Sequence, residues 1–159
     1  KNIPLVGIVS RMVVQKGFDI FADAVSDLMN LDAQWIILGN GETYFEDLFR
    51  QLSIQLPEKV GAYIGYNNEL SHLIEAGADM FLMPSYYEPC GLNQIYSLKY
   101  GTVPIVRKTG GLADTVKDWD EENHYGFDHG NGFSFYDYSG YALFKSVERA
   151  INTFKKKYI

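Results

Sequence analysis

Two cationic side chains near the start of the chain are spaced to hold an anion. Arg11 follows the apolar run Leu5–Val9, and Lys16 precedes Gly17 and a stretch with helical spacing. The N–H groups and dipole at a helix N-terminus favour negative charge, and a guanidinium with an ammonium would neutralise a diphosphate. The alternative interpretation is that both are solvated surface cations. The spacing therefore indicates a phosphate site without requiring one.

A carboxylate stands in the most informative stretch of the sequence, PSYYEPCGLNQ at residues 84–94. Glu88 lies there between a buried apolar run and a helical pattern. Its carboxylate could accept hydrogen bonds from sugar hydroxyls or stabilise positive charge at a sugar carbon, and the N–H groups from Gly91 to Asn93 could meet ligand oxygens. The alternative is that Glu88 caps the following helix. Cys90 is expected to pack rather than to react.

Two glycine turns and one aromatic residue complete the set of candidates. The turn GNGE, which begins at Gly39, would let backbone approach a ligand, but it lacks the full G-x-G-x-x-G fingerprint. The turn that begins with Thr109 and Gly110 enters a helical pattern and could face phosphate. Tyr66 follows Gly65 at a strand end, where an aromatic ring could stack on a nucleobase. Ordinary structural turns and a half-buried tyrosine explain these features as well.

The elements that must position these residues are predicted from apolar periodicity. The six strand-like runs are residues 5–9, 35–38, 60–64, 80–83, 104–106 and 132–135. Helical spacing of apolar residues lies between most of them. Strands that alternate with helices predict an α/β, Rossmann-like domain with a parallel sheet of about six strands and helices on both faces. Ligands of such sheets bind at the carboxyl ends of the strands, where the candidates lie. Residues 118–130, which are acidic and rich in turn formers, are expected to form a surface loop.

Composition limits the class of protein. The 159 residues suit one domain, and 47% hydrophobic content suffices for a core. A net charge of -6 argues against nucleic-acid binding, and no apolar run is long enough for a membrane span. One cysteine excludes an internal disulfide and fits a reducing, cytosol-like compartment. His72, His124 and His129 have no spacing typical of a metal site, so no metal is expected.

Three segments carry a resemblance to a known family. They are Ser10–Arg11 with QKG at 15–17, residues 84–94, and the run 100–116 with TGGLADTV at its end. Their order and spacing resemble the C-terminal domain of bacterial-type glycogen synthases and plant starch synthases, two-domain enzymes of the GT-B architecture. The resemblance covers nearly the whole chain. It implies that residues 1–159 are a single donor-binding domain of a longer enzyme whose N-terminal acceptor domain lies outside this chain.

The resemblance implies a contact for each part of a nucleotide sugar. Arg11 and Lys16 would hold the donor diphosphate, and Tyr66 would stack against the base. The groups implied to surround the glucose are Glu88 and the backbone of Cys90, Gly91 and Leu92. The related enzymes transfer glucose from ADP-glucose to the non-reducing end of an α-1,4-glucan with retention. UDP-glucose is the alternative donor. The implied mechanism is a front-face substitution that needs no metal or other cofactor, because the two cations neutralise the leaving diphosphate.

One departure and two alternatives bear on this assignment. Many retaining GT-B enzymes carry a second glutamate eight residues after the first, and Tyr96 stands there in this chain. The bacterial and plant synthases share this change, which favours the assignment. The first alternative is another retaining GT-B glycosyltransferase. The second is a non-catalytic nucleotide- or glucan-binding module, which would not need a carboxylate beside the sugar carbon.

Overall fold

Strands and helices alternate along most of the chain. The computed structural model describes residues 2–89, 91–126 and 129–157. The strands are β1 (Leu5–Val9), β2 (Gln34–Gly39), β3 (Val60–Ile64), β4 (Met80–Met83), β5 (Val103–Arg107) and β6 (Phe133–Phe135). The helices are α1 (Phe18–Asp23), α2 (Val25–Asn30), α3 (Thr43–Gln55), α4 (Asn68–Gly77), α5 (Asn93–Tyr100), α6 (Gly110–Thr115), α7 (Trp119–His124) and α8 (Gly140–Lys157), and a 3-10 turn spans Val14–Lys16. The six predicted strands are confirmed.

The strands form one sheet in the order β3-β2-β1-β4-β5-β6, and every neighbouring pair is parallel. The predicted α/β, Rossmann-like fold is therefore confirmed. The strand order reverses between β1 and β4, and crevices form at the carboxyl ends of strands at such a switch point. The loops that follow β1 and β4 are the two that carry the cations and Glu88.

Both faces of the sheet are buried, as a parallel sheet requires. Successive residues of β4 show this: Met80 and Leu82 pack into one apolar cluster, whereas Phe81 and Met83 pack into another. Residues of α1, α2, α3 and α8 fill the first cluster, and residues of α4 and α6 fill the second. Burial of each large apolar side chain is worth about 1.5–3 kcal/mol, so this two-sided core holds the loops at the sheet edge in place.

The acidic segment that begins at Asp118 differs from its prediction as a surface loop. Asp118 is only 3% exposed, and its Oδ1 accepts hydrogen bonds from the N–H groups of Asp120 and Glu121 at the start of α7. Its Oδ2 accepts from Ser134 N at 2.7 Å and from Arg149 Nη2 at 3.1 Å. The loop prediction is wrong for residues 118–124, because the partners that bury this carboxylate lie on β6 and α8.

No helix in the described part of the chain is both long enough and apolar enough to cross a membrane.

Candidate functional site

Two adjoining clefts open at the carboxyl edge of the sheet. One, called here the Glu88 cleft, has a volume of about 350 Å³ and lies between the ends of β1 and β4. The other, called the Tyr66 cleft, has a volume of about 300 Å³ and lies between the ends of β1, β2 and β3. Val9, Ser10, Arg11 and Asn93 line both clefts. A ligand that passes this shared boundary can therefore occupy both.

Lys16 and Glu88 form an ion pair inside the Glu88 cleft. Lys16 Nζ donates a hydrogen bond to Glu88 Oε2 across 2.6 Å, and the side chains are 21% and 11% exposed. Ser85 Oγ donates to the same carboxylate oxygen at 3.3 Å. Among the residues that the structure describes, no side chain caps the helix after Glu88, so the alternative role of Glu88 as its N-cap is wrong. Lys16 retains two N–H donors for a ligand after this contact.

The close approach of the two loops depends on Gly17. Its φ of +86° lies in the left-handed region, and a Cβ atom there would meet the carbonyl oxygen of Pro84 at 2.1 Å. Tyr86 N donates a hydrogen bond to the carbonyl of Gln15 at 2.9 Å, so the two backbones run side by side. Only glycine fits this position without displacing the loop after β4, which carries Glu88.

The turn at Thr109 and Gly110 supports Glu88 from the other side. Gly110 has a φ of +46°, and a Cβ atom on it would lie 2.2 Å from the carbonyl oxygen of Glu88. Gly111 N donates a hydrogen bond to that same oxygen at 3.1 Å. Thr109 and Gly110 line neither cleft. Their predicted contact with substrate stays a prediction, and the contacts described here give this turn a supporting position.

Arg107 ties the loop after β4 to the end of β6. Its Nη1 donates to the carbonyl oxygen of Tyr86, and its Nε donates to that of Tyr136 at 3.1 Å. The guanidinium also lies over the rings of Tyr86 and Tyr138, 5.6 and 5.3 Å from their centroids. A planar cation that donates hydrogen bonds and stacks on rings restrains the loop strongly. The site therefore rests on contacts from three different loops.

Arg11 lies at the boundary of the two clefts. Its side chain is exposed and forms no hydrogen bond or ion pair with the residues that the structure describes. An exposed guanidinium between two clefts is free to bind an anion that bridges them. Arg11 and Lys16 both line the Glu88 cleft, whereas the binding of a phosphate there stays a prediction.

Tyr66 and Gly39 lie in the Tyr66 cleft, as their strand-end positions predict. Tyr66 is 82% exposed, so its ring is available for stacking and is not the half-buried tyrosine of the alternative interpretation. The carbonyl of Gly39 accepts a hydrogen bond from Gly65 N at 2.9 Å, which joins the two loops. An exposed ring beside a cleft suits stacking on an aromatic heterocycle.

The start of α5 lies against the Glu88 cleft. Gly91, Leu92 and Asn93 line it, and Asn93 Nδ2 donates to the carbonyl of Val9 at 3.4 Å. Cys90, also predicted to contact substrate, lies outside the described residues. The start of this helix thus borders the same cleft as Glu88 and Lys16, and a helix N-terminus favours ligand oxygens.

Several residues of the site were not singled out from the sequence. Ser85 and Gly17 stand inside the recognised segments, and their adjacency to Glu88 and Lys16 was the available signal. Glu75 lines the Tyr66 cleft and is only 3% exposed, and burial raises the pKa of its carboxyl. No sequence signal separated it from an ordinary glutamate on the solvent side of a helix.

A further cavity of about 380 Å³ lies at the opposite, amino edge of the sheet and contains none of the predicted site residues. Within the described residues, no group of three or more His, Cys, Asp or Glu side chains could hold a metal ion. Apart from Thr109 and Gly110, the predicted site residues that the structure describes all line one or both of the carboxyl-edge clefts.

Comparison with known proteins gives a consistent picture. A family model described as glycosyl transferases group 1 matches residues 1–157. The chain is 48% identical over 156 residues to a glycogen synthase of Desulforudis audaxviator and 52% identical over 156 residues to one of Koribacter versatilis. Each match covers 98% of this chain but only 30% and 31% of the relative. The chain thus spans about a third of the length of these curated relatives.

The chain is also similar to solved glycosyltransferase structures. The chain superposes on the catalytic domain of starch synthase IV from Arabidopsis thaliana, bound to ADP and acarbose, with a TM-score of 0.86 and 35% identity. That match covers 98% of this chain and 32% of the other. Sucrose-phosphate synthase from Thermosynechococcus elongatus gives a TM-score of 0.71 at 23% identity, covering 95% of this chain and 37% of the other, which shows a shared fold alone.

Proposed function

The chain belongs to the glycosyl transferases group 1 family, and from that premise we propose that it is the donor-binding domain of a glycogen or starch synthase. Relatives named glycogen synthase at 48% and 52% identity support the proposal. The whole enzyme would transfer glucose from ADP-glucose to the non-reducing end of an α-1,4-glucan and retain the configuration at the anomeric carbon.

The observation that carries the proposal is the contact of Lys16 with Glu88 beside Arg11. A carboxylate and two cations share one crevice at the switch point of the sheet. A simple anion-binding site has no use for the carboxylate, because it would repel the ligand. A nucleotide sugar requires both signs of charge, since its diphosphate is anionic and its hydroxyl groups are hydrogen-bond donors. This combination favours a transferase over a module that only binds nucleotide.

In the proposed complex, each part of the donor occupies a different place in the two clefts. The glucose lies in the Glu88 cleft, the diphosphate lies at the boundary formed by Arg11, and the nucleoside lies in the Tyr66 cleft. The bond from the anomeric carbon to the diphosphate oxygen breaks, and a bond to the acceptor hydroxyl oxygen forms on the same face. The proton of that hydroxyl passes to the departing phosphate oxygen. Arg11 and Lys16 stabilise the negative charge that develops on the leaving diphosphate.

Glu88 would act at the sugar end. Its carboxylate is fixed by Lys16 and Ser85 and therefore enters the reaction with little reorganisation. It would accept a hydrogen bond from a glucose hydroxyl and offset positive charge that accumulates at the anomeric carbon. The two cations take over the role that a divalent metal has in other glycosyltransferases, so the proposal includes no metal or other cofactor.

Adenine is the proposed base, and the solved starch synthase IV neighbour was bound to ADP. The acceptor glucan would contact a second domain, which fits a chain that spans 30% and 31% of its glycogen synthase relatives. The decisive assay joins this domain to such an acceptor domain and supplies ADP-glucose with a maltooligosaccharide. Elongation by α-linked glucose, detected by the anomeric proton coupling, supports the proposal. Release of free glucose without elongation, or a β-linked product, contradicts it.

A further inference from the structure

A buried carboxyl group in the Tyr66 cleft has no role in the chemistry described above. Glu75 lies on α4, is only 3% exposed, and lines this cleft. Its backbone carbonyl accepts a hydrogen bond from Thr102 Oγ1, which anchors the residue. The side-chain carboxyl group of Glu75 takes no part in that hydrogen bond.

The structural contacts of Glu75 do not explain why a carboxyl group is buried at this position. Its Oε2 is buried and has no hydrogen-bond partner in the part of the chain that the structure describes. The ion-pair partner recorded for that oxygen is His72, whose Nδ1 lies 4.0 Å away. The His72 side chain is 49% exposed. A buried polar atom without a partner costs free energy, and an apolar side chain would pack here without that cost. A carboxyl group with an unsatisfied oxygen, on a residue that lines a cleft, is therefore a candidate contact for a ligand.

The position of Glu75 identifies which part of a nucleotide it would meet. Arg11 stands at the boundary of the two clefts, where the diphosphate is proposed to lie. Tyr66, at the mouth, is 82% exposed and is proposed to stack on the base. The ribose joins the base to the diphosphate and must therefore lie between Tyr66 and Arg11, in the cleft that Glu75 also lines. Glu75 is the one acidic residue among those that line the Tyr66 cleft.

The chemistry of a ribose matches a carboxylate. Its vicinal 2′- and 3′-hydroxyl groups present two donors side by side, and a carboxylate has two acceptor oxygens at a similar separation. Hydrogen bonds to a charged acceptor are stronger than neutral ones, and more so where water is excluded. A ribose diol would thus supply the partners that the buried carboxyl group lacks.

We propose that Glu75 binds the ribose of the donor nucleotide and selects ribonucleotides by accepting hydrogen bonds from the 2′- and 3′-hydroxyl groups. This inference rests on the proposed function, because it assumes that a nucleotide occupies the Tyr66 cleft. It adds a residue and a selectivity that neither the recognised segments nor the cation pair provides.

The test compares ADP with 2′-deoxy-ADP and 3′-deoxy-ADP in calorimetric titrations of the wild-type domain and of Glu75→Gln. The wild type is expected to bind each deoxy analogue about ten-fold more weakly than ADP. Glu75→Gln is expected to bind ADP about ten-fold more weakly than the wild type and to distinguish the three nucleotides by less than about three-fold. Glu69→Gln, an exposed glutamate on the same helix, is the matched control and should behave as the wild type.

The possible results distinguish a failure of the Glu75 inference from a failure of the proposed function. If the wild type binds ADP and its deoxy analogues equally, the inference is overturned while the proposed function stands; this comparison needs no variant. If Glu75→Gln weakens all three nucleotides equally, or alters the preference for ADP over UDP while the hydroxyl selectivity persists, Glu75 does not bind the ribose. If the wild type binds no nucleotide, the proposed function and this inference fail together.

Discussion

Lys16 Nζ lies 2.6 Å from Glu88 Oε2, although 72 residues separate them in the chain. The contact joins the loop after β1 to the loop after β4 across the switch point of the sheet. Because neither side chain is fully exposed, the pair holds the carboxylate in one orientation before any ligand arrives. The same lysine is proposed to meet the diphosphate, so the ion pair couples the sugar end of the site to the phosphate end.

Substitution of Glu88 should separate sugar binding from nucleotide binding. Glu88→Gln removes the charge that is proposed to meet a glucose hydroxyl, so affinity for ADP-glucose should fall about ten-fold, whereas affinity for ADP should change by less than about three-fold. Titration calorimetry with both ligands measures the split, with the exposed Glu58→Gln as control. Equal losses for ADP and ADP-glucose would place Glu88 away from the sugar.

The ring of Tyr66 should contribute to affinity through stacking alone. Tyr66→Ala should weaken ADP binding by about 5- to 150-fold, since one stacked base is worth about 1–3 kcal/mol. Tyr66→Phe should bind ADP within about two-fold of the wild type, because the hydroxyl group is not needed for stacking. Tyr141→Ala removes a tyrosine of similar exposure on α8 and should leave binding unchanged. Loss of affinity in Tyr66→Phe would indicate a hydrogen bond instead.

Gly17 offers a test of the loop contact that brings Lys16 to Glu88. Gly17→Ala should destabilise the fold by more than about 3 kcal/mol, because left-handed backbone costs about 1–2 kcal/mol and the new Cβ would also collide with Pro84. Gly101→Ala is the matched control, because its φ is +79° but no atom of a described residue other than its chain neighbours lies within 4 Å of the added Cβ. It should lose only about 1–2 kcal/mol in urea unfolding. Equal losses in the two variants would mean that the Pro84 contact is unimportant.

Asp118 should contribute stability that depends on pH. Burial would raise the pKa of its carboxyl, but hydrogen bonds from Arg149 and Ser134 outweigh burial and hold the pKa below the usual aspartate value of 3.8. A carboxyl group with a lowered pKa stabilises the fold above its unfolded value, and this contribution is lost as the pH falls through the folded value. Asp118→Asn should therefore cost about 1.5–3 kcal/mol at pH 7, and its deficit relative to the wild type should shrink below pH ~3.8.

The matched control for that experiment is Asp120→Asn, since Asp120 pairs with the same arginine but its side chain is 54% exposed. It should cost less than about 1 kcal/mol at pH 7 in urea unfolding. A deficit for Asp118→Asn that stayed constant from pH 7 to pH 3 would show that charge is not the source of its contribution.

Local pattern was sufficient to predict the strands and the edge at which the site lies. The run Met80–Met83 is apolar at every position, as a strand buried on both faces requires, and the loops that follow parallel strands share one edge. Pattern could not predict contacts between distant residues. The segment that begins at Asp118 has the composition of a solvated loop, and the burial of Asp118 is explained only by its partners Ser134 on β6 and Arg149 on α8. Glu75 likewise became a candidate only once the fold placed it in a cleft.

The measurement that tests the central claim most directly is calorimetric titration of this chain with ADP, UDP and ADP-glucose, repeated with Arg11→Ala and Lys16→Ala. Lys99→Ala, an exposed lysine on α5, serves as the control. The account predicts saturable binding of ADP and ADP-glucose, weaker binding of UDP, and a loss of about ten-fold or more in each cation variant. Absence of saturable nucleotide binding to the wild type, or undiminished affinity in both cation variants, would contradict it.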